Sequence, residues 1–290
     1  MDAIEPLPLR VSALIVSRNC ATVLRRCLAA LEASQPRQSL EILVVDNGSR
    51  DESARLDSEF PEVQYLRLPK NFGLVKAWNI GIRTAKGDNV LLLPPNVIVQ
   101  PDTVDQLANR LEADNSIGAV CPYVSTTWAM PDSSALKRLW SEGELPGAIS
   151  LPETNGPQNV VFPKGAPVMV RRQFLAGMNY FDDRFGSFGA ELEMYWRLHD
   201  AGKKVVVYPD IRVEVLPDER QEWSSAHAAD VANGAATFLG KHQGFGASVG
   251  FKLGAAAASL GRALTFQKPG FHLAQAGHIL LGQKLDGTQE

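Results

Sequence analysis

The stretch LEILVVDNGS, residues 40–49, decides the fold class of this chain. The mostly apolar run from Glu41 to Val45 predicts a strand, and the turn-forming residues Asp46 to Ser49 end it abruptly. Further strands are expected at 9–16, 63–66, 89–93 and 117–121, and helices at 20–34, 73–85 and 102–114. Strands and helices that alternate at this pitch predict an α/β fold with a mostly parallel sheet flanked by helices.

One edge of such a sheet is the expected place for a ligand. Right-handed crossovers bring the carboxyl ends of all parallel strands to the same edge, and ligands bind in the crevice outside it. We therefore expect the loops after the first, second and fourth strands to share one crevice. These loops contain Ser17-Arg18, Asp46-Asn47 and residues 94–96.

The composition is that of an ordinary globular protein. The chain has 290 residues, of which 45% are hydrophobic and 21% charged, and its net charge is −3. This charge gives no global attraction to nucleic acid or to an anionic membrane. Three cysteines without a CxxC pair predict reduced structural thiols, and the N-terminus lacks the pattern of a secretory signal. We therefore expect a cytoplasmic protein, and no apolar run is long enough to span a bilayer as a helix.

Three polar side chains stand where they could bind a ligand or act in catalysis, and each could instead have only a structural role. Asp46 ends a strand, where its carboxylate can bind a ribose or a base N–H, or can merely stabilise the turn. Lys76 follows the start of a predicted helix, which suits diphosphate oxygens or an ordinary surface. Glu191 opens another predicted helix, where a carboxylate is also favoured by the helix dipole alone.

The segment after residue 222 is rich in alanine and glycine and is predicted to be mostly helical. It contains an apolar stripe with Lys252 and Arg262 off it. The stripe consists of Phe245, Val249, Leu253, Ala257, Leu260 and Leu264. We expect it to pack on the rest of the domain or on a second subunit, and the alternative is contact with a membrane surface.

An ordered series of short motifs runs through most of the chain. It comprises Ser17-Arg18-Asn19, Val44 to Ser49, Asn71-Phe72-Gly73, Asn79-x-Gly81, Gly87-Asp88, Gly165-Ala166, Arg171-Arg172, Tyr180 to Phe185, Gly189 to Arg197, Ala201-Gly202 and Tyr208-Pro209. In this order the motifs resemble family 2 glycosyltransferases of the GT-A fold, especially the rhamnosyltransferase-like branch. The resemblance covers roughly residues 10 to 215 and continues weakly through Lys241-His242 and residues 277–287.

The resemblance implies transfer of a sugar from a UDP- or dTDP-linked donor to an acceptor hydroxyl with inversion, in the synthesis of cell-surface polysaccharide or another glycan. Glu191 stands at the position of the general base, and Asp46 at the position that reads the nucleoside. The residues implied on the donor side are Ser17, Arg18, Asp46, Asn71, Gly73, Lys76, Asn79, Pro95 and Asn96. Those implied on the acceptor or diphosphate side are Gly165, Arg171, Glu193, Trp196 and Arg197.

The chain departs from the family pattern at three charged positions. Pro94-Pro95-Asn96 replaces the usual acidic motif that binds Mg²⁺ or Mn²⁺, so Asn96 is the only weak candidate for a metal ligand. Val215 replaces a histidine ligand, and its neighbour Glu214 points to the other face of a strand. Ala190 replaces the first acid of a Glu-Asp pair. A hard divalent cation needs anionic oxygen ligands, so these changes disfavour a metal.

Two functional interpretations follow. In the first, the chain is a working transferase that stabilises the leaving diphosphate with Lys76, Arg171 or Arg172 instead of a metal. In the second, it is an inactive GT-A domain that binds a nucleotide, a glycan or a partner protein.

For either interpretation, we expect a glycosyltransferase domain over residues 1–215, with a nucleotide-binding half (10–121) and an acceptor half (122–215). We also expect a helical extension over 216–290, in which residues 240–290 would contact a membrane's inner face or form a homodimer. The expected partners are the nucleotide sugar and a glycan or lipid-linked acceptor, without nucleic acid.

Overall fold

Strands and helices alternate along the chain, as the apolar periodicity predicts. The computed structural model describes residues 9–124, 128–130, 155–164, 167–217, 224–265 and 268–285. The strands are β1 Val11–Ser17, β2 Leu40–Asp46, β3 Gln64–Arg67, β4 Asn89–Leu92, β5 Val97–Ile98, β6 Ile117–Tyr123, β7 Trp128–Met130, β8 Gln158–Asn159, β9 Phe162–Lys164, β10 Val168–Arg171, β11 Lys204–Arg212 and β12 Glu214–Val215. The α-helices are α1 Ala21–Glu32, α2 Leu74–Thr84, α3 Thr103–Ala113, α4 Arg172–Gly177, α5 Ala190–Asp200, α6 Ser225–Gln243, α7 Phe245–Leu264 and α8 Pro269–Leu280.

Eight of the described strands form one sheet in the order β3-β2-β1-β4-β10-β6-β11-β8. The pairs β3-β2, β2-β1, β1-β4 and β6-β11 are parallel, whereas β10 lies antiparallel between β4 and β6. Ser17, the last residue of β1, is aligned with Asp46, the last residue of β2. The carboxyl ends of the parallel strands therefore meet at one edge, as expected.

The core lies on both faces of this sheet. Because side chains alternate along a strand, Leu14 faces the layer that holds α2, and Ala13 and Ile15 face the layer that holds α1 and α3. Burial on both faces explains why β1 and β2 are nearly continuous apolar runs rather than alternating ones. The three cysteines, Cys20, Cys27 and Cys121, are free and buried, as predicted for structural thiols.

Helices α6 to α8 follow the sheet, and α6 packs directly on it. Ala229, Ala235 and Phe238 of α6 are buried in the same core cluster as the central strands. Helix α7 packs on its neighbours through Phe251, Ala255, Ala256, Ser259 and Ala263. The expectation that the stripe from Phe245 to Leu264 packs on the domain is wrong, because its large side chains are exposed.

The structure describes only part of the segment that was expected to form loops and small strands. The predicted loops and small strands of residues 122–163 fall largely on 125–127 and 131–154, which lie outside the described residues. Among the helices that the structure describes, none has the length and apolarity needed to cross a bilayer.

Candidate active site

A cavity of about 560 Å³ lies at the carboxyl edge of the sheet. Three strand ends contribute to it, together with the start of α2, the first turn of α5 and the first turn of α6. The lining residues are Val16, Ser17, Arg18, Asn47, Leu74, Trp78, Leu92, Leu93, Pro94, Pro95, Asn96, Glu191 and His227. The expected convergence of the loops after β1, β2 and β4 is confirmed.

The loop after β2 is built around two adjacent polar residues. Asp46 is buried, with 3% of its surface exposed, and its Oδ1 accepts hydrogen bonds from the N–H and the hydroxyl of Ser49. Asn47 donates to Asn71 Oδ1 at 2.9 Å and accepts from the N–H of Phe72 at 2.8 Å. Asp46 thus has the turn role, whereas Asn47 lines the cavity and ties two loops of its wall together.

Gly48 allows this loop to pack closely. Its φ of +76° lies in the left-handed region, and an added Cβ would lie 2.5 Å from the backbone carbonyl carbon of Lys70. We expect Gly48→Ala to lower the free energy of unfolding by about 3 kcal/mol or more, because a left-handed alanine costs about 1–2 kcal/mol and the backbone clash adds to it. Gly202→Ala is the matched control, since Gly202 has φ +68° and open space around it. Equal losses in the two variants, measured by urea unfolding, would show that close packing at Gly48 is unimportant.

Glu191 reaches the cavity from the first turn of α5. The helix begins after Gly189, whose φ of +103° turns the chain sharply into it. The preceding loop is held from behind by α6, because the buried carboxylate of Asp230 accepts from the N–H of Ser187 at 2.8 Å. Gly234 of α6 also leaves room for this loop, since a Cβ there would lie 2.4 Å from the carbonyl oxygen of Phe188. Helix α6 therefore fixes the loop that presents Glu191.

Three cations expected near the diphosphate lie elsewhere. Arg171 ends β10 opposite Asn89, the first residue of β4, and its guanidinium donates to the carbonyl oxygens of Ile117 and Leu111. Because β10 runs antiparallel, Arg171 and the adjacent Arg172 lie at the amino edge of the parallel strands, away from the crevice. Lys76 is exposed two residues after Leu74, and two residues turn a helix by roughly 200°, so it points away from the cavity wall.

Three further expected residues belong to a buried cluster between α5 and α6. Glu193 is 1% exposed and is bound by Arg197 at 2.9 Å, Lys241 at 2.8 Å and His242 at 2.6 Å. Trp196 packs edge-on against Phe238 of α6 with ring centroids 5.7 Å apart. Burial acts to raise the pKa of Glu193, but the hydrogen bonds from Lys241, His242 and Arg197 outweigh it, so the pKa lies below its ordinary value. The cluster therefore joins two helices and does not line the cavity.

Asn79 likewise has a structural role. Its side chain is buried, its Oδ1 accepts from the N–H of Phe181 at 2.9 Å, and its Nδ2 donates to Phe181 O at 2.8 Å and to Asp183 Oδ1 at 3.0 Å. Both ends of the amide are thus used to attach α2 to the loop before α5. Gly165, also expected near the acceptor, lies outside the described residues.

The side chains around Asn96 do not provide the ligands that a divalent cation needs. The Nδ2 of Asn96 donates to Leu216 O at 2.8 Å, and the N–H of Leu216 donates to Asn96 O at 2.8 Å. These hydrogen bonds bring Val215 opposite Val97, next to Asn96, but the side chains of Asn96 and Val215 carry no negative charge. Glu214 points away toward Arg26, at 3.7 Å. Within the described ranges no group of three His, Cys, Asp or Glu side chains is arranged to hold a metal.

The sequence places Asn47 at the crevice only as part of its loop, and it does not single out Trp78 or His227 as lining residues. Trp78 does pack on Phe181, with ring centroids 5.2 Å apart, but it also faces the cavity. His227 enters from α6, 36 positions along the chain from Glu191, and no local pattern marks it.

Comparison with known proteins gives consistent results. The family model described as glycosyl transferase family 2 matches residues 12–175. An N-acetylglucosaminyltransferase of Mesorhizobium japonicum is 35% identical over 135 residues, which is 43% of this chain and 31% of that protein. The chain thus spans about a third of the length of this relative.

Two solved structures are similar in fold. The crystal structure of GalNAc-T7 with UDP, GalNAc and Mn²⁺ has a TM-score of 0.62 and 19% identity, and the match covers 81% of this chain and 48% of that one. The mannosyltransferase PcManGT from Pyrobaculum calidifontis, in complex with GDP-Man and Mn²⁺, has a TM-score of 0.60 and 18% identity, with 97% and 90% covered. These likenesses confirm the predicted GT-A fold. Because the family model covers more than half of the chain, this protein belongs to glycosyl transferase family 2.

Proposed function

We propose that this protein transfers a sugar from a nucleotide-sugar donor to an acceptor hydroxyl, with inversion at the anomeric carbon. The observation that carries the proposal is the position of Glu191, a carboxylate in the first turn of α5 that lines the same cavity as the loops after β1, β2 and β4. Family membership and the nucleotides bound in the similar structures support a nucleotide-sugar donor.

In this proposal Glu191 acts as the general base. The acceptor oxygen attacks C1 of the sugar from the face opposite the diphosphate, the new C1–O bond forms, and the bond from C1 to the phosphate oxygen breaks. The hydroxyl proton passes to Glu191, and the electron pair of the broken bond leaves with the nucleoside diphosphate. A base must lie within hydrogen-bond reach of that hydroxyl, and a carboxylate at the cavity wall is available to an acceptor bound in the cavity.

The leaving diphosphate needs positive charge. Of the side chains described as lining the cavity, Arg18 carries a permanent positive charge, whereas Lys76, Arg171 and Arg172 lie outside it. Arg18 follows β1 directly and lines the same cavity as Asn47 and Pro95. We therefore assign to Arg18, rather than to the three cations expected from the sequence, the stabilisation of charge that develops on the diphosphate.

A panel of UDP-, GDP- and dTDP-linked sugars tests the proposal. We expect release of the nucleoside diphosphate from one donor class, and a product whose anomeric configuration is opposite to that of the donor. Asn96 and Val215 supply no anionic oxygen to hold a divalent cation. We therefore expect turnover in EDTA to stay within about tenfold of that with Mn²⁺, a difference of about 1.4 kcal/mol. Nucleotide binding without turnover for any donor would contradict the proposal and favour a binding domain.

The acceptor class is proposed from the relatives. The curated relatives include an O-antigen biosynthesis protein of Myxococcus xanthus, which is 23% identical over 219 residues and of which the chain covers 17%. We propose a growing cell-surface glycan as the acceptor. Transfer to defined oligosaccharide acceptors, compared with donor hydrolysis in water, tests this class separately from the donor.

A further inference from the structure

The exposed apolar side chains of this protein are concentrated on two adjacent helices. Among the described residues, nine large hydrophobic side chains are exposed, and eight of them lie between residues 245 and 281. We call these eight the apolar patch: Phe245, Val249, Leu253, Leu260, Leu264, Leu273, Leu280 and Leu281. Phe245 and Leu264, at the two ends of α7, are 83% and 80% exposed. A patch of this kind marks an interaction surface rather than scattered surface leucines.

The helices that carry the patch also differ from the rest of the chain in charge. Residues 231–285 contain five of the 29 basic residues and none of the 32 acidic residues. Lys241 is paired with Asp182 and Glu193. Lys252, Lys268 and Lys284 have no acidic partner in the described part of the chain. Within the described residues 231–285, the segment that carries the patch therefore has basic but no acidic side chains, although the whole protein is slightly acidic.

We propose that the apolar patch and its basic border bind the surface of a membrane that contains anionic lipid. Apolar side chains on one face with cations around them are what an interfacial helix needs, because the former enter the acyl boundary and the latter meet the headgroups. A second copy of this chain is a poorer occupant, since pairing two such faces would bring positive charge against positive charge. The helices lie on the membrane and do not cross it, which agrees with the absence of a spanning helix among those described.

The proposal also relates the membrane to the cavity. Helix α6 contributes His227 to the cavity at one end, and at its other end the chain passes directly through Gly244 into Phe245. The helix that presents part of the cavity wall is thus continuous with the patch. A lipid surface bound at α7 and α8 would bring the cavity toward acceptors attached to lipids, but binding itself does not depend on the proposed catalytic function.

Co-sedimentation of the full chain with vesicles tests the proposal. We expect binding to phosphatidylcholine vesicles that contain phosphatidylglycerol, and weaker binding to phosphatidylcholine alone. Each basic residue near the surface is expected to contribute about fivefold to the partition coefficient, and high salt is expected to reduce the difference between the two vesicles. The double variant Leu253→Glu with Leu264→Glu is expected to bind at least about tenfold more weakly, because two charges would enter the apolar region.

A control variant separates local from global charge. Gln38→Glu with Gln100→Glu adds the same negative charge at exposed positions outside the patch, and we expect it to bind vesicles like the parent chain. Circular dichroism shows whether each variant is folded. Absence of binding to anionic vesicles would overturn the proposal. So would a parent chain that is dimeric by light scattering and becomes monomeric only in the Leu253→Glu, Leu264→Glu variant, because a second copy would then cover the patch.

Discussion

Replacing Glu191 by glutamine is expected to lower turnover about 10²–10⁴-fold while the protein stays folded, because the amide keeps the shape of the side chain but cannot accept the acceptor's proton. The loss should fall on kcat for sugar transfer, and the dissociation constant for the nucleoside diphosphate should change little. Glu191 lines the cavity and starts a helix, so loss of its charge should cost no more than about 1 kcal/mol of the free energy of unfolding.

Glu191→Asp is the informative companion variant. Aspartate keeps the base but withdraws the carboxylate by one methylene, so we expect activity between that of the parent and that of Glu191→Gln. Steady-state transfer assays together with calorimetric measurement of nucleotide binding distinguish these effects. Full activity of Glu191→Gln would remove the residue from the proposed mechanism, while the membership of the chain in the family would stand.

Replacing Glu193 by alanine, two residues further along the same helix, is expected to lower the stability of the protein more than its turnover. Glu193 is buried and binds Arg197, Lys241 and His242, so its removal takes the carboxylate away from Arg197 and leaves Lys241 with Asp182 alone. We expect a loss of about 3–5 kcal/mol in the free energy of unfolding, measured by urea denaturation. At a temperature where the variant is folded, its turnover should fall less than that of Glu191→Gln, because Glu193 does not line the cavity.

The pH dependence of the Glu193 variant gives a second measurement. The pKa of Glu193 is lowered in the folded protein, so the carboxylate contributes stability above its unfolded pKa of about 4.3, and this contribution is lost as the pH falls through the lowered value. The parent chain should therefore lose more stability than Glu193→Ala when the pH is lowered below about 4.

An exposed ion pair provides the matched control for Glu193. Glu59 binds Arg25 at 2.6 Å, and both side chains are nearly half exposed. Glu59→Ala is therefore expected to lower the free energy of unfolding far less than Glu193→Ala does. If Glu193→Ala and Glu59→Ala cost the same, the cluster between α5 and α6 does not hold the two helices together.

The sequence determined the sheet and the edge at which its ligand site lies. Strand and helix follow from apolar periods that a few neighbouring residues display, and the parallel pairing follows from their alternation. The same reasoning predicted that the loops with Ser17-Arg18 and Pro95-Asn96 would share a crevice, and the resemblance to the family placed Glu191 there. The cavity contains all five residues. It also predicted that Glu214 would face away from the position of Val215, and its contact with Arg26 agrees.

Only the tertiary structure decided which polar side chains reach that crevice. Arg171 lies at the far edge because β10 inserts antiparallel between β4 and β6, a pairing that no local pattern specifies. Glu191 and Glu193 are two residues apart on one helix and therefore point in directions about 200° apart. Which of the two lines the cavity and which is buried against α6 depends on the elements that pack on each face of the helix. His227 and the exposed patch on α7 and α8 have the same origin, since contacts between distant segments set burial and the local sequence does not.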